Sequence, residues 1–338
     1  MQIKKKIFTN KNILVTGGTG SFGQHFIKTI LKDFTPNKVI IFSRDELKQY
    51  EMAEKLKKYK KKLRFFIGDI RDLPRLKTAM KDVDIVVHAA ALKQVETAEY
   101  NPFEVVKTNV MGTQNIIDAI YSSDVKTAIA LSTDKAAAPI NLYGATKLTA
   151  DKLFISANNY IQNKSFSVVR YGNVMMSRGS VIPSFEKQKT SGVINITDKD
   201  MTRFSLTLSE GVEFVIKCLS NMWGGELFVP KIPSYTILDL AKAVAPECKI
   251  NFIGTRPGEK IHEDLVTNSD SLNTIEFKNY YIILSSTKSY EKNTIKNFIN
   301  KFDNYKGKVP DRNFSYNSLN NKDYLSIEEL KILIRDNK

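Results

Sequence analysis

Three reactive side chains, Thr133, Asp134 and Lys135, stand in a row shortly before a second pair, Tyr143 and Lys147. Residues four apart on a helix share one face, with Cβ atoms about 5–6 Å apart, so Tyr143 and Lys147 would be neighbours. A lysine ammonium beside a phenol favours the phenolate and lowers the pKa of the tyrosine, which can then take a proton from a hydroxyl. Ordinary helix surfaces carry the same pair, so its meaning depends on its position in the fold.

The surrounding sequence predicts a strand and a helix that position these residues. Short apolar runs alternate with amphipathic segments through the first half of the chain, which predicts an α/β fold with a Rossmann-type doubly wound parallel sheet. The predicted strands are residues 12–17, 38–43, 63–68, 85–90, 126–132 and 165–171. The predicted helices are residues 21–34, 45–59, 74–81, 102–122 and 143–159. The group that begins at Thr133 therefore emerges at the carboxyl edge of the sheet, where such folds bind ligands.

Three segments are expected along the chain, and the boundaries between them are approximate because the lobes interleave. Residues 1–180 form the dinucleotide-binding domain, residues 181–285 a smaller C-terminal substrate-binding lobe, and residues 286–338 a polar tail. Within the tail, Ser326 and Glu329 form a capping box before apolar residues, which predicts a short closing helix.

Gly17, Gly20 and Gly23 lie between the first predicted strand and the first predicted helix. Glycines at this spacing allow a tight turn and a close approach of the backbone to a pyrophosphate, which the helix N-terminus then stabilises. Glycines also serve plain turns, but the strand before and the helix after them favour a dinucleotide site.

The residues after the second predicted strand favour NADP. Enzymes that use NAD usually carry an acid there, which binds the ribose hydroxyl. Ser43, Arg44 and Lys48 instead supply a hydroxyl and two cations suited to a phosphate. The alternative, an Arg and a Lys that are simply solvated at a helix start, stays open because Asp45 is adjacent.

Two further strand ends would contribute to the same pocket. Asp69 follows the third strand, where it could reach the adenine edge, and Ala89 follows the fourth, where small side chains leave room for the ribose. The alanine is equally consistent with plain packing.

Composition narrows the function classes. The 51 Lys and Arg against 36 Asp and Glu give a net charge of +15, but the lysines are mostly dispersed, which disfavours nucleic-acid binding. Cys218 and Cys248 have no metal-ligand spacing, the three histidines do not cluster, and no metal site is expected. No signal peptide and no apolar run of about 20 residues is present, so we expect a cytoplasmic protein without a membrane partner.

The motifs TGGTGSFG and YGATK, together with Asp69, resemble the extended short-chain dehydrogenase/reductase superfamily. Further motifs resemble the configuration-inverting UDP-N-acetylglucosamine 4,6-dehydratases, namely SRDELK, HAAALKQV, LSTDKA, RYGNV, SRGSVIP, MTRF and RPGEKIHE. They run from Thr16 to Glu263, about three quarters of the chain. That family opens the route to pseudaminic acid, a sugar used in flagellin glycosylation.

The resemblance implies a hydro-lyase that uses NADP internally and inverts carbon 5 of UDP-N-acetylglucosamine. Tyr143, supported by Lys147 and Thr133, would take the proton of the 4-hydroxyl. Lys135 would be the base at carbon 5 and Asp134 the acid for the departing 6-hydroxyl; retaining relatives carry Asp-Glu here. Lys135 must then be neutral and Asp134 protonated, and a dry pocket disfavours the charged form of each.

The resemblance also implies the residues that contact the two ligands. The cofactor would contact Gly17, Thr19, Gly20, Ser21, Phe22, Gly23, Ser43, Arg44, Asp45, Glu46, Leu47, Lys48, Asp69, Ile70, Ala89, Lys93, Tyr143 and Lys147. The substrate would contact Lys93, Ser132, Thr133, Asn173, Val174, Arg178, Thr197, Arg203, Arg256 and Glu259. A homo-oligomer is expected, with a hexamer as the form that the resemblance suggests.

Three alternatives differ in the residues that they require. A UDP-sugar 4-epimerase needs the tyrosine, lysine and threonine but no acid–base pair, so Asp134 and Lys135 argue against it. The 4,6-dehydratase/5-epimerase of capsule synthesis has methionine at the position of Tyr143. A non-catalytic NADP-sensing protein would not require the four residues Asp134, Lys135, Tyr143 and Lys147 together.

Overall fold

The computed structural model describes residues 1–176, 180–285, 296, 298–300, 302 and 306–337. Sixteen strands lie in these residues. The first eight are β1 (Asn12–Thr16), β2 (Lys38–Ser43), β3 (Leu63–Ile67), β4 (Ile85–His88), β5 (Thr127–Thr133), β6 (Ser165–Tyr171), β7 (Asn173–Val174) and β8 (Val193–Ile196). The others are β9 (Thr202–Leu206), β10 (Glu226–Pro230), β11 (Ser234–Thr236), β12 (Lys249–Phe252), β13 (Asp264–Val266), β14 (Thr274–Glu276), β15 (Tyr280–Leu284) and β16 (Tyr316–Asn317).

The described helices flank these strands. They are α1 (Ser21–Asp33), α2 (Glu46–Lys55), α3 (Leu73–Ala79), α4 (Val95–Tyr100), α5 (Pro102–Val105), α6 (Gly112–Tyr121), α7 (Leu142–Ser156), α8 (Val181–Lys189), α9 (Leu208–Asn221), α10 (Ile237–Val244) and α11 (Ile327–Asp336). Ser326 and Glu329 form the expected capping box at the start of α11, so the predicted closing helix is confirmed.

The main sheet has nine strands in the order β14-β15-β10-β6-β5-β4-β1-β2-β3. Strands β1 to β6 and β10 run parallel, whereas β15 and β14 are antiparallel additions at one edge. The first three apolar residues of β1 after Asn12 are fully buried, as expected for a parallel strand covered on both faces. The predicted Rossmann-type doubly wound sheet is confirmed.

A crevice lies at β1, where the order of the strands along the sheet reverses. β1 pairs with β2 on one side and with β4 on the other, and Thr16 at its end is level with Phe42 and His88. In doubly wound sheets ligands bind outside the carboxyl ends of the strands at such a point.

Two predicted helices differ from expectation. The helix over 45–59 ends at Lys55, and a 3-10 segment, Lys57–Lys62, follows, because KKYKKK has no apolar face to bury. The helix over 102–122 contains a π-helical stretch, Val106–Met111, between α5 and α6. This stretch buries the polar Asn109, and π-helical turns of this kind are frequent at functional sites.

Smaller sheets and a second core cover the crevice. Strands β11, β9 and β7 form one sheet, β12 pairs with β8, and β13 pairs with β16. A core separate from that of the main sheet includes Ile182, Leu240 and Leu330, so α11 packs with α8 and α10 in this lobe. The sequence did not predict that β10, β14 and β15 return to the main sheet.

Candidate active site

A cavity of about 1220 Å³ opens at the carboxyl edge of the main sheet. The glycine loop, the ends of β1 to β6 and the start of α7 form one side of it, and residues of the smaller lobe between 180 and 263 form the other. Thr133, Lys135, Tyr143 and Lys147 all line this space. The two ends of the stretch STDKAAAPINLYGATK therefore belong to one site.

The glycine loop leaves no room for side chains. Gly17 has a φ of +63°, and a Cβ there would lie 2.9 Å from the Ala90 nitrogen. A Cβ on Gly23 would lie 2.6 Å from the Gly17 oxygen. Gly20 precedes α1 without a side-chain cap, which leaves the N–H groups of the first turn available to a phosphate. The loop fits the pyrophosphate of a dinucleotide.

Charged side chains at the end of β2 lie on the same wall. The Arg44 side chain is 54% exposed, and its Nη1 is 3.7 Å from Asp69 Oδ2. Lys48 forms an ion pair with Asp45, which also caps α2. The Ser43 hydroxyl accepts a hydrogen bond of 3.0 Å from Gln49 Nε2. Asp45 thus offsets Lys48, and Arg44 carries most of the positive charge here.

Asp69 is fixed by Arg71. Its carboxylate accepts hydrogen bonds of 2.9 Å from both the backbone nitrogen and Nε of Arg71. Burial by itself raises the pKa of Asp69, but the hydrogen bonds and charge of Arg71, with the charge of Arg44, lower it overall. The other predicted cofactor residues on the wall are Thr19, Ser21, Phe22, Ile70, Ala89 and Lys93. Glu46 and Leu47 do not line the cavity, because at the start of α2 both face solvent.

Asn141 fixes the start of the helix that carries the tyrosine and lysine. Its Oδ1 accepts a hydrogen bond of 2.8 Å from the Gly144 nitrogen and caps α7. Its Nδ2 donates one of 2.8 Å to the Gly258 carbonyl, which lies between the predicted substrate residues Arg256 and Glu259. One side chain therefore joins α7 to the smaller lobe.

The phenol of Tyr143 lies in a dry environment. Burial raises its pKa to about 12, against the opposing effects of the Lys135 ammonium and a hydrogen bond with Thr133. The predicted lowering by Lys147 is wrong for this structure. Lys147 Nζ donates a hydrogen bond of 2.7 Å to the Leu131 carbonyl, and the nearby cation that acts on the phenol is Lys135.

A buried network lies behind Lys147. Burial lowers the pKa of this lysine, and the charge of Asp151, one turn later on α7, opposes the shift. Asp151 Oδ2 accepts a hydrogen bond of 2.6 Å from the Ser132 hydroxyl and lies 3.7 Å from Arg170 Nη2. Asp151 thereby ties α7 to the ends of β5 and β6.

Lys135 lies between two buried carboxylates. Its Nζ is 3.1 Å from Asp134 Oδ1 and 3.2 Å from Glu263 Oε1. Burial alone would lower the pKa of Lys135, but Asp134 and Glu263 together raise it above the ordinary value. The expectation that a dry pocket leaves Lys135 neutral is wrong, because the two carboxylates stabilise its charged form. Asp134 is 1% exposed and lies behind the cavity wall.

The predicted substrate residues lie on both sides of the cavity. Arg203 is buried, and its Nη1 donates to the carbonyls of Thr202 and Ile261 at 2.7 and 3.0 Å. Arg256 and Glu259 form an ion pair of 3.1 Å with each other. The cavity wall also includes Lys93, Ser132, Thr133, Asn173, Val174 and Thr197. Arg178 lies outside the described residues.

Sequence reasoning missed three residues that support this site. Glu263 ends the motif RPGEKIHE, but only the fold places it beside Lys135. Asp151 was hidden in the middle of α7. Asn109 forms hydrogen bonds of 2.9 Å with both backbone groups of Leu92 and so fixes the loop before Lys93. No local signal distinguished Asn109, because Lys107 and Thr108 beside it are polar as well.

The described residues contain neither a metal-binding group nor a membrane-spanning helix. Their His, Cys, Asp and Glu side chains form no group of three or more that could hold a metal ion. In the described part of the chain, every helix falls short of the length and apolar character that crossing a lipid bilayer requires.

Comparison with known proteins places this site in a family. The sequence profile described as "Polysaccharide biosynthesis protein" matches residues 13–285. The chain belongs to this family. A relative from Campylobacter jejuni, named UDP-N-acetylglucosamine 4,6-dehydratase (inverting), is 52% identical over 97% of this chain and 98% of its own.

Two further relatives help to interpret this polysaccharide biosynthesis family member. The crystal structure of Pen from Bacillus thuringiensis superposes with a TM-score of 0.86 at 38% identity, covering 97% of this chain and 98% of its own. A Rickettsia bellii protein named UDP-glucose 4-epimerase is 45% identical over 82% of this chain and 84% of its own. The family thus includes proteins named for more than one reaction, and the site residues must discriminate between them.

Proposed function

We propose that this protein is a UDP-N-acetylglucosamine 4,6-dehydratase that inverts carbon 5 and uses NADP. The observation that carries the proposal is the meeting of Tyr143, Lys135 and Thr133 in the cavity that the glycine loop also lines. The 52% identity to a relative with that name, over nearly the whole length of both chains, supports it. The product is UDP-2-acetamido-2,6-dideoxy-β-L-arabino-hex-4-ulose, which we assign to the start of a pseudaminic acid route.

The glycine loop and the start of α1 would bind the pyrophosphate of the dinucleotide, and Arg44 would contact the 2′-phosphate that distinguishes NADP from NAD. A bound NADP would supply the hydride acceptor for carbon 4 and the hydride donor for carbon 6, with a proton added to carbon 5 from the opposite face. Tyr143 takes the proton of the 4-hydroxyl as that carbon is oxidised. Lys147, held between Leu131 and Asp151, fixes α7 against the end of β5.

The ketone at carbon 4 acidifies carbon 5, and Lys135 acts there as the base. The carbon 5–hydrogen bond breaks, its electron pair expels the 6-hydroxyl, and the proton passes to the Lys135 amine. Asp134 supplies the proton that turns the departing hydroxyl into water. The Thr133 hydroxyl lines the cavity and lies 2.9 Å from Asp134 Oδ1, so we assign Thr133 as the link between that carboxyl and the substrate. In this step Thr133 accepts the proton of the protonated Asp134 and donates its own proton to the departing hydroxyl.

Incubation of the purified protein with UDP-N-acetylglucosamine and NADP in heavy water tests the proposal. Dehydration gives a 4-keto-6-deoxy sugar with solvent deuterium at carbon 5 in the L-arabino configuration. A product with the D-configuration at carbon 5 would contradict inversion. NMR of the product distinguishes the two.

The second candidate is a UDP-sugar 4-epimerase, which the 45% identity to the Rickettsia protein favours. Epimerisation leaves carbon 5 untouched, so it yields a 4-epimer without deuterium at that carbon. A protein that only senses NADP would return the substrate unchanged. The same heavy-water incubation therefore separates all three functions. We also propose a homo-oligomer, which mass photometry of the purified protein tests.

A further inference from the structure

Glu263 is a buried carboxylate in the cavity that none of the proposed roles uses. It is 2% exposed and lines the cavity together with Lys135. Its Oε1 is 3.2 Å from Lys135 Nζ and 3.8 Å from Arg203 Nε. Its Oε2 is buried and has no hydrogen-bond partner within the part of the chain that the structure describes. A buried carboxylate is costly to keep, so its position beside a lysine calls for a functional reason.

The C-terminal segment holds Glu263 in this position. The Glu263 nitrogen donates to Ser318 Oγ at 2.9 Å, and the Ser318 nitrogen donates to the Glu263 carbonyl at 2.8 Å. Ser318 Oγ also lies 2.7 Å from Thr202 Oγ1, next to Arg203. Pairing of β13 with β16 continues this contact. Both backbone groups of Glu263 are thereby fixed, and its side chain is directed at Lys135.

The charges around Lys135 are few. Asp134 and Glu263 favour its ammonium, and Arg203 opposes it. Besides the larger effect of burial, the charge of Lys135 also acts to lower the pKa values of Lys93, Tyr143 and Tyr235. Asp134 is the neighbour of Lys135 in sequence, so Glu263 is the carboxylate that the tertiary fold adds.

We propose that Glu263 is the positioning residue of Lys135, holding Nζ at the cavity wall and stabilising the ammonium that forms when the amine takes the carbon 5 proton. This inference rests on the proposed dehydratase function. In the step, the carbon 5–hydrogen bond breaks, an N–H bond forms on Lys135, and the new positive charge lies against the Glu263 carboxylate. The Glu263 carboxylate makes the Lys135 amine a stronger base. As a result, the Lys135 ammonium loses its proton only at a higher pH.

Glu263→Gln tests the inference because it keeps the shape and removes the charge. An opposite charge at this range shifts a pKa by about 1–3 units. We therefore expect the low-pH limb of kcat for deuterium exchange at carbon 5 to move to lower pH by about 1–3 units. The maximal kcat falls about tenfold or more because the base is weaker, while KM for the sugar nucleotide stays within about twofold of the wild type, since Glu263 acts through Lys135. A limb that coincides with the wild-type limb overturns the inference.

Two variants serve as controls. Glu263→Asp retains the charge, so its limb stays closer to that of the wild type than the limb of Glu263→Gln; the reverse order counts against the inference. If Glu263→Gln folds poorly, the pH limb of Glu263→Asp is compared with that of the wild type instead. Glu226→Gln removes an equally buried carboxylate that receives hydrogen bonds from Ser167, Trp223 and Gly224 outside the cavity. We expect Glu226→Gln to leave the low-pH limb of kcat unchanged. A shift as large as that of Glu263→Gln would mean that the loss of any buried carboxylate has this effect.

A double-mutant cycle gives a readout that does not depend on turnover. Glu263→Gln and Lys135→Met are combined, and unfolding in urea is measured for all four proteins. Direct coupling predicts that the two stability losses do not add, and additive losses overturn the inference. If the wild type makes no 4-keto-6-deoxy sugar, the proposed function fails, and the cycle still reports whether the two residues are coupled. If it makes the sugar and the cycle is additive, only the role of Glu263 fails.

Discussion

At the scale of single residues, the site is a set of buried charges arranged around one lysine. Lys135 is held charged by Asp134 and Glu263, and Tyr143 is held neutral by burial. Both groups must lose a proton before they can act as bases. The resting protonation states of Lys135 and Tyr143 therefore oppose the reaction that we propose. For this reason the rate should depend on pH.

Replacement of the proposed base gives the most direct prediction. We expect Lys135→Met to lower the rate of dehydration by about 10²–10⁴-fold, the usual contribution of a general base. Binding of NADP, measured by calorimetry, stays unchanged because the glycine loop and Arg44 are intact. Lys217→Met is the matched control, since Lys217 pairs with Glu213 on α9 away from the cavity. Wild-type turnover in Lys135→Met would refute the assignment.

The pH dependence follows from the two raised pKa values. Lys135 must be neutral and Tyr143 deprotonated, and the pKa of each lies above its ordinary value. Both active forms therefore become more abundant as pH rises. Elimination also needs a proton from Asp134, so the prediction concerns the first half-reaction, the oxidation of carbon 4, which needs only deprotonated Tyr143. We expect its rate to increase from pH 6 to pH 9 by up to about tenfold per unit. A bell-shaped profile with its maximum below pH 7 is inconsistent with this arrangement.

Cofactor choice depends on Arg44. A charge-assisted hydrogen bond to the 2′-phosphate contributes about 1.5–3 kcal/mol, so Arg44→Ala should weaken NADP binding by about 10- to 100-fold. Affinity for NAD, which lacks that phosphate, serves as the internal control and stays within about twofold. Fluorescence titration with both dinucleotides measures the ratio. Equal loss for the two cofactors would contradict the assignment of Arg44 to the phosphate.

At the scale of elements, the position of α7 decides where Tyr143 and Lys147 lie. Asn141 caps this helix and also bonds the Gly258 carbonyl, whereas Asp151 connects its buried face to β5 and β6. The π-helical turn at Asn109 fixes the loop on the opposite side of Tyr143 through Leu92. The reactive groups are therefore held by elements that meet only in the folded chain.

The effect of the α7 cap on stability can be distinguished from its effect on turnover. Asn141→Ala removes the cap and should lower the free energy of unfolding by about 1 kcal/mol. Turnover should fall as well, because the start of α7 loses its link to the substrate side. Ser326→Ala removes the cap of α11, which should cost a similar amount of stability but leave turnover unchanged. Urea unfolding and kcat/KM measure both effects, and equal turnover in the two variants would argue against a role for Asn141 in the site.

At the scale of the whole molecule, the C-terminal segment supports the candidate site from behind the cavity wall. The segment around Ser318 lies against β9 and β13 and fixes the backbone of Glu263. Tyr316 Oη donates a hydrogen bond of 2.7 Å to the Ile232 carbonyl and accepts one of 2.9 Å from its nitrogen. The tail is thus part of the wall behind Lys135.

Ser318→Ala tests this connection. The change leaves the buried Glu263 nitrogen without its hydrogen-bond acceptor, which costs about 1–3 kcal/mol of stability for such a group. We expect the melting temperature and kcat to fall together, while NADP affinity remains that of the wild type because the dinucleotide side is untouched. Ser209→Ala is the control, since Ser209 bonds His25 at an exposed site. A stable variant with wild-type kcat would show that the tail does not support the site.

The sequence by itself determined the sheet, the glycine loop and the pairing of Tyr143 with Lys147 on one helix. These features depend on local periodicity and on glycine spacing, which a linear chain displays directly. It also placed Thr133 and Lys135 at a strand end. The return of β10, β14 and β15 to the main sheet was decided only by the tertiary structure.

The protonation of the site was likewise decided only by the tertiary structure. Burial alone predicted a neutral Lys135, but Asp134, its neighbour in sequence, and Glu263, which the fold brings from a distant segment to within 3.2 Å of Nζ, together raise its pKa. The fold also turns Lys147 towards Leu131, so burial sets the pKa of Tyr143. Charge interactions depend on distance through space and on exclusion of water, and neither quantity can be read from positions along a chain.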